Sequence, residues 1–298
     1  MNILTLSYSD NGGNCFFLAQ AINAHTEHTA RSIRMEESYL HYPHDILKPG
    51  RDELLEMIEW ADVVHVRENW HGLLPYHYCK PTVVTYSGNF YRRNPDRWHE
   101  QCKKMGFLIT VSTVDLSVMR EAPWMPNTRP DECGNIKLNP SVFRVCHTPT
   151  FRDRKGTETV IAALKNLPDV ELVLVEKRPY ADSREARRTC HLTIDQFRWG
   201  YGNSAIEAWA CAHPVLSDAH MDKRVPMRLR GVFNNVLPWY PTPETAHDIR
   251  DAVIQMRDDS DVYCQNRRAG RSFYQAFHSQ ESVVQCALGF YEAVLDGH

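Results

Sequence analysis

The sequence predicts an α/β protein made of two Rossmann-like domains with an interdomain cleft. Three observations lead there. Short apolar runs alternate with amphipathic helical segments along most of the chain, the pattern of a parallel sheet wrapped by helices. The alternation breaks at a proline-rich stretch, Pro123 to Pro140, and then restarts. The 298 residues suffice for two domains, each burying its own core. The expected boundaries are 1–138 for the N-terminal domain, 139–279 for the C-terminal domain and 280–298 for a final helix.

Each element has a local reason. Ile3 to Tyr8 is an apolar run suited to a buried strand, and Cys15 to His25 is a helix behind the turn Ser9 to Asn14. Glu53 to Trp60 reads as amphipathic helix, and Val63 to Val66 and Val83 to Tyr86 as buried strands. Trp98 to Met105 is helical, Phe107 to Val111 a strand and Leu116 to Glu121 a short helix. Beyond the proline-rich linker come strand Phe143 to Cys146, helix Thr157 to Leu164, strand Glu171 to Val175 and helix Ser183 to Thr189. His191 to Asp195 is a further strand. Asn203 or Ser204 opens a helix running to about Ala212, Pro214 ends it, and Val215 to Ser217 begins another strand. Gln280 to Leu295 is a clean amphipathic helix.

Composition excludes several classes. Hydrophobic residues make up 43% and charged residues 24%, ordinary values for a globular protein. The net charge is −3 and neither half is basic, so nothing drives the chain as a whole toward nucleic acid or a membrane surface. No apolar run reaches the length of a membrane span. The first ten residues, MNILTLSYSD, lack the basic region of a signal peptide. Nine cysteines without a C-x-x-C pair predict free thiols in a reducing compartment, and hence a cytoplasmic protein, in the host cytoplasm if the chain is viral.

The richest stretch is His191 to Asp218, HLTIDQFRWGYGNSAIEAWACAHPVLSD, which reads as strand, glycine turn, helix, turn and strand. Ligands of open α/β sheets sit at such carboxyl strand ends. Gly200 and Gly202 allow a tight turn. The N–H groups of Gly202, Asn203 and Ser204, with the helix dipole, suit a phosphate. Glu207, one turn in, suits the two hydroxyls of a ribose. Ser204-x-x-Glu207 also matches a capping box, which would make Glu207 a structural cap, and on the local pattern both readings stay open.

The segment GYGNSAIEAWACAHPVLSD resembles the nucleotide-sugar motif of the retaining, family 4 glycosyltransferases of GT-B fold. His147 to Thr157, HTPTFRDRKGT, is similar to the Arg-x-x-Lys-Gly segment of the same family. The resemblance implies a glycosyltransferase that moves a sugar from a nucleotide-sugar, with UDP the family's commonest carrier, to a hydroxyl acceptor with retention. Arg152 and Lys155 would grip the diphosphate and stabilise its departure, and with Glu207 they are the expected catalytic residues. Tightly bound cofactor and metal are not expected, because those cations carry the leaving-group charge. The final helix would cross back onto the first domain. The sequence departs from the pattern at three places: Trp199 stands where the family has the first of two glutamates, His213 where a small residue precedes Pro-Val, and Ser87 where a histidine faces the transferred sugar. Those departures keep a second reading alive, a non-catalytic nucleotide- or sugar-binding module of the same fold.

Other candidates lie in the first half. Gly12 and Gly13 follow the first strand and precede a helix, where the next N–H groups can face the donor's phosphates. Asn89 to Lys104, NFYRRNPDRWHEQCKK, mixes cations with aromatics. It reads either as an amphipathic helix with a solvated basic face or as an acceptor-side surface with Ser87, Asn89, Tyr91, Arg92 and Arg93, where rings stack and cations hold an anionic acceptor. That acceptor would be a glycan, a lipid phosphate, a nucleotide or a hydroxymethylated base of viral DNA. Asp259-Ser260-Asp261 has a metal-binding spacing but sits in a polar segment between helices and reads as a solvated loop. His41 with His44, and His71 with His77 and Cys79, fit no standard metal spacing.

Overall fold

The computed structural model describes residues 1–68, 70–74, 79–120, 122–131, 137–138, 141–197, 200–217 and 245–297. The chain forms two compact units, Met1–Pro130 with His278–His298, and Asp131–Phe277.

In the first unit the elements run β1 (Asn2–Ser7), α1 (Asn14–His25), β2 (Thr29–Arg34), β3 (Ile46–Leu47), α2 (Arg51–Trp60), β4 (Val63–Arg67), β5 (Thr82–Tyr86), α3 (Gly88–Arg93), α4 (Pro95–Lys104), β6 (Leu108–Val111) and α5 (Val114–Arg120). The strands form a six-stranded parallel sheet in the order β3-β2-β1-β4-β5-β6. The order reverses between β1 and β4, and in open α/β sheets ligands bind outside the carboxyl strand ends at such a point. Both faces are covered, which is why the strands read as unbroken apolar runs. Leu4, Leu6, Val64, Val66 and Val84 pack toward Ile58 and Trp98. Ile3, Val63 and Val83 pack on the other face with Leu18 and Ile22.

Two strands escape the sequence pattern. β2, TARSIR, carries two Arg, a Ser and a Thr, and becomes a strand through its pairing with β1 from Asn2↔Thr29 to Ser7↔Arg34. β3 is a two-residue edge on β2. The basic segment divides into α3 and α4 because Asn94 caps α4, accepting from the Arg97 N–H, and Pro95 takes its first turn. The proline-rich stretch starts inside the core: Met125 is buried, its N–H bonds the Val111 carbonyl, and Arg129 is wholly buried.

The second unit contains β7 (Phe143–His147), a single turn α6 (Arg152–Lys155), α7 (Thr157–Leu164), β8 (Val170–Leu174), α8 (Tyr180–Arg188), β9 (Leu192–Ile194), α9 (Asn203–Ala210), β10 (Val215–Leu216), α10 (Ala246–Asp258) and α11 (Ser260–Phe277). Its described strands form a parallel sheet in the order β10-β9-β7-β8. Here the order reverses between β7 and β9. The expected loop at Asp259 to Asp261 is a corner between α10 and α11. Only Asp259 separates the helices, and its carboxylate accepts the N–H groups of Asp261 and Val262.

The last helix, α12 (Gln280–Asp296), belongs to the first unit and packs Val283, Val284, Ala287 and Tyr291 against α1 and the sheet. Among the described residues no helix is long and apolar enough to cross a membrane.

Candidate functional site

The candidate site stands at the carboxyl ends of β7 and β9 in the second unit. After β7 the chain makes the turn of α6, and Gly156, at φ 66°, both ends α6 and starts α7. A left-handed residue is needed there, and glycine takes it without steric cost. His147 ties the strand ends together. It is wholly buried, its Nδ1 lies 2.8 Å from the Ile194 carbonyl and its Nε2 lies 3.0 Å from the Thr157 hydroxyl. Burial pushes its pKa down to about 4, so it is neutral: Nδ1–H donates to Ile194 and Nε2 accepts from Thr157.

That scaffold brings the two motifs together. Lys155 Nζ donates to the carboxylate of Asp195, which closes β9 and has a side chain 1% exposed. The same carboxylate accepts the Gly202 N–H at the start of α9. Gly202 has extended backbone, φ −114°, so its need for glycine is spatial: a Cβ would lie 3.1 Å from Lys155 Nζ and 3.4 Å from Asp195 Oδ2. Ser204 Oγ is 2.8 Å from Thr148 Oγ1, joining the two segments again. Arg152 reaches Glu158 at 2.7 Å and also pairs with Glu176, in an exposed setting.

Glu207 is buried and paired with Arg187 of α8, both side chains about 5% exposed. This replaces the capping-box alternative. Gly202 is the N-cap, so Ser204 is the second helical residue and its hydroxyl meets Thr148 and Arg187 rather than the helix end. Asn203 opens α9. Trp199 lies outside the described residues. Asp195 and Arg187 were missed in the sequence because their partners, Lys155 and Glu207, are 40 and 20 residues away.

In the first unit two groups of expected site residues already have partners within the fold. The N–H groups behind Gly12 and Gly13 do not face outward to a phosphate. Asp10 takes them, accepting from Asn14 at 2.7 Å and Cys15 at 3.0 Å. A carboxylate at a helix start neutralises the dipole that would have drawn a ligand. Gly12 gives its carbonyl to Arg129, 2.6 Å away, and a Cβ on Gly13 would strike the Tyr42 ring at 2.7 Å. Tyr91, expected on the acceptor side, is wholly buried, with its hydroxyl 2.7 Å from His99. The neighbouring rings also turn inward: Trp98 is buried, and the partly buried Phe90 stacks on it with centroids 4.4 Å apart. Amphipathic packing against the sheet takes the aromatics inward, so they form no exposed stacking platform.

Of the remaining acceptor-side candidates, Arg92 pairs with Asp115, and Arg93 is exposed at the end of α3. Asn89 lies in the first turn of α3. Ser87 precedes α3 and donates its hydroxyl to Glu68, a residue the sequence did not single out. Glu68 follows β4 with left-handed backbone, φ 60°, which is costly for a residue with a Cβ and recurs where a site dictates the conformation. Burial raises its pKa, against the Ser87 hydrogen bond and the Arg67 charge, which lower it. Among the described residues no cluster of His, Cys, Asp and Glu is arranged to hold a metal ion.

No family model and no curated protein matches the chain in sequence. Solved structures match it along its length. The Anabaena protein Alr3699/HepE, in complex with UDP and glucose, has a TM-score of 0.72 at 13% identity, covering 98% of this chain and 100% of that one. An alpha-glucosyltransferase in complex with UDP-glucose and DNA containing an abasic site has a TM-score of 0.70 at 10% identity, covering 98% and 99%. A Listeria monocytogenes protein described as a UDP-N-acetylglucosamine 2-epimerase by assignment has a TM-score of 0.59 at 13% identity, covering 100% and 97%. At these identities the likeness is one of fold, and the fold is the two-unit, Rossmann-like architecture of the GT-B proteins.

Proposed function

We propose that the protein is a glycosyltransferase that moves a sugar from a UDP-sugar to a hydroxyl acceptor, with retention and without a metal. The observation that carries this reading is the convergence of Lys155, the Gly202 N–H and the start of α9 at the point where the second sheet reverses its strand order. Two cationic side chains, Arg152 and Lys155, stand on the segment after β7 that leads into α7, and Lys155 Nζ lies 3.1 Å from where a Cβ on Gly202 would stand, at the start of α9. Their charge is worth most when the bond to the sugar breaks and the diphosphate gains charge. Glu207 would hold the ribose hydroxyls while Arg187 fixes its carboxylate.

In this reading residues 139–279 bind the nucleotide-sugar, and residues 1–138 with the last helix supply the acceptor side. Ser87, Asn89, Arg92 and Arg93 are the acceptor-side residues. Their cations favour an anionic acceptor, among which hydroxymethylated DNA deserves the first trial, since a protein of the same fold was solved with DNA and UDP-glucose. Titration with UDP, GDP, ADP and CDP tests the sugar-donor site. Binding of UDP that is lost in Lys155→Ala supports the proposal, and a protein that binds none of the four refutes it.

One observation favours the non-catalytic alternative. Lys155, Arg187 and Arg152 each have a carboxylate partner, so the cluster carries no evident surplus of positive charge. Release of UDP from UDP-glucose, with or without an acceptor, separates a transferase from a binding module.

A further inference from the structure

Asp195 is the residue of the second unit whose position the proposed function does not use. Its carboxylate is almost wholly buried, and its two oxygens are divided between two partners: Oδ1 takes Lys155 Nζ and Oδ2 takes the Gly202 N–H. These are two of the groups that the proposed function assigns to the diphosphate. They come from segments 40 residues apart and meet on one side chain. Gly202 is pressed close enough to Lys155 Nζ, 3.1 Å from where a Cβ would stand, to keep the pair tight.

We propose that Asp195 competes with the sugar donor's diphosphate for Lys155 and the Gly202 N–H, so that nucleotide binding proceeds by exchange of one anion for another. The inference rests on the sugar-donor site proposed above. Any phosphate oxygen that reaches Lys155 Nζ comes within a few ångströms of the Asp195 carboxylate. Two like charges at that separation repel strongly where water is scarce. Lys155 therefore turns from Asp195 toward the phosphate, or is shared between them at a cost. The arrangement holds the half-buried Lys155 side chain, 15% exposed, in one orientation beside a carboxylate partner. It also moderates affinity for the diphosphate, which as the leaving product has to depart.

The charge and the shape of Asp195 can be separated. Asp195→Asn keeps an oxygen to accept the Gly202 N–H and removes the negative charge. In calorimetric titrations of the full chain, Asp195→Asn is expected to bind UDP about tenfold more tightly than the wild type. Binding of uridine, which has no phosphate, is expected to stay unchanged. A thermal melt checks that the variant is folded, and Asp195→Ser, which also lacks the charge, is the second variant if the first folds poorly.

Unchanged or weaker UDP binding in both variants, with the wild type binding UDP, overturns the exchange and leaves the sugar-donor site standing. An equal loss of UDP and uridine binding assigns Asp195 a purely structural role and overturns it too. A wild type that binds no nucleoside diphosphate removes the site and the inference together.

Discussion

Each unit has a strand that ends in a loop leading to a helix, yet the two units use the carboxylate at that loop differently. In the first unit Asp10 caps α1 from within the same loop, four and five residues from the N–H groups it accepts. In the second unit the carboxylate of Asp195 reaches the start of α9 across the glycine turn and shares itself with a lysine from another loop. The first device is local and consumes the helix start. The second couples two segments and keeps a cation next to the helix start. A glycine-rich turn ahead of a helix is therefore a weak sign of a phosphate site unless the nearest carboxylate is accounted for.

The sharpest way to test the contrast is Lys155→Ala. It is expected to weaken UDP binding by about 100-fold, the worth of a charge-assisted contact to phosphate, and to lower stability as well, because the buried Asp195 carboxylate loses its cation. Titration calorimetry checks this, and an unchanged affinity would remove the lysine from the site. Gly13→Ala follows in size. It forces a Cβ into the Tyr42 ring at φ 62°, so it should cost about 2 kcal/mol in a urea unfolding curve while leaving UDP affinity alone. A fall in UDP affinity in the folded variant would show that the first unit's glycine loop does meet the nucleotide.

The histidines give a pH test that applies to both units. Burial pushes His65 down to about 3 and His278 to about 4 in the first unit, and His147 and His213 to about 4 in the second. Each therefore binds fewer protons folded than unfolded between about pH 4 and pH 6.5. Stability is expected to fall as the pH is lowered through that window, by up to about 1.4 kcal/mol per pH unit for each histidine. His147→Gln should remove about one proton from the slope, measured by urea unfolding at several pH values. A slope identical to the wild type's would mean that His147 is not held neutral.

The smallest effect is expected at Gly202. Alanine is allowed at φ −114°, and its Cβ displaces only the flexible end of Lys155. Gly202→Ala should weaken UDP binding severalfold and leave the melting temperature within a few degrees. A large loss of stability there, as at Gly13, would erase the distinction between a glycine kept for packing and a glycine kept for a site.

What could be read in the sequence was what short-range physics decides. Strands β1, β4, β5 and β7 announce themselves as apolar runs because a parallel sheet buries both faces. The residues of the segment from Arg152 to Gly156 are neighbours in sequence, as are those of the helix carrying Glu207, so the spacing within each was visible. Strand β2 was not, since TARSIR becomes a strand only by lying beside β1. The inward turn of Tyr91 was not either, because composition shows which rings neighbour cations in sequence and not which face the sheet covers.

The sequence by itself thus determined two α/β units and the local motifs at their strand ends, through periodicity, glycine turns and helix starts. Tertiary structure alone decided the distant partners: Asp195 for Lys155, Arg187 for Glu207 and Glu68 for Ser87. The reason is that a buried charge must find its counterion wherever the fold brings one, and sheet topology sets that meeting, not distance along the chain.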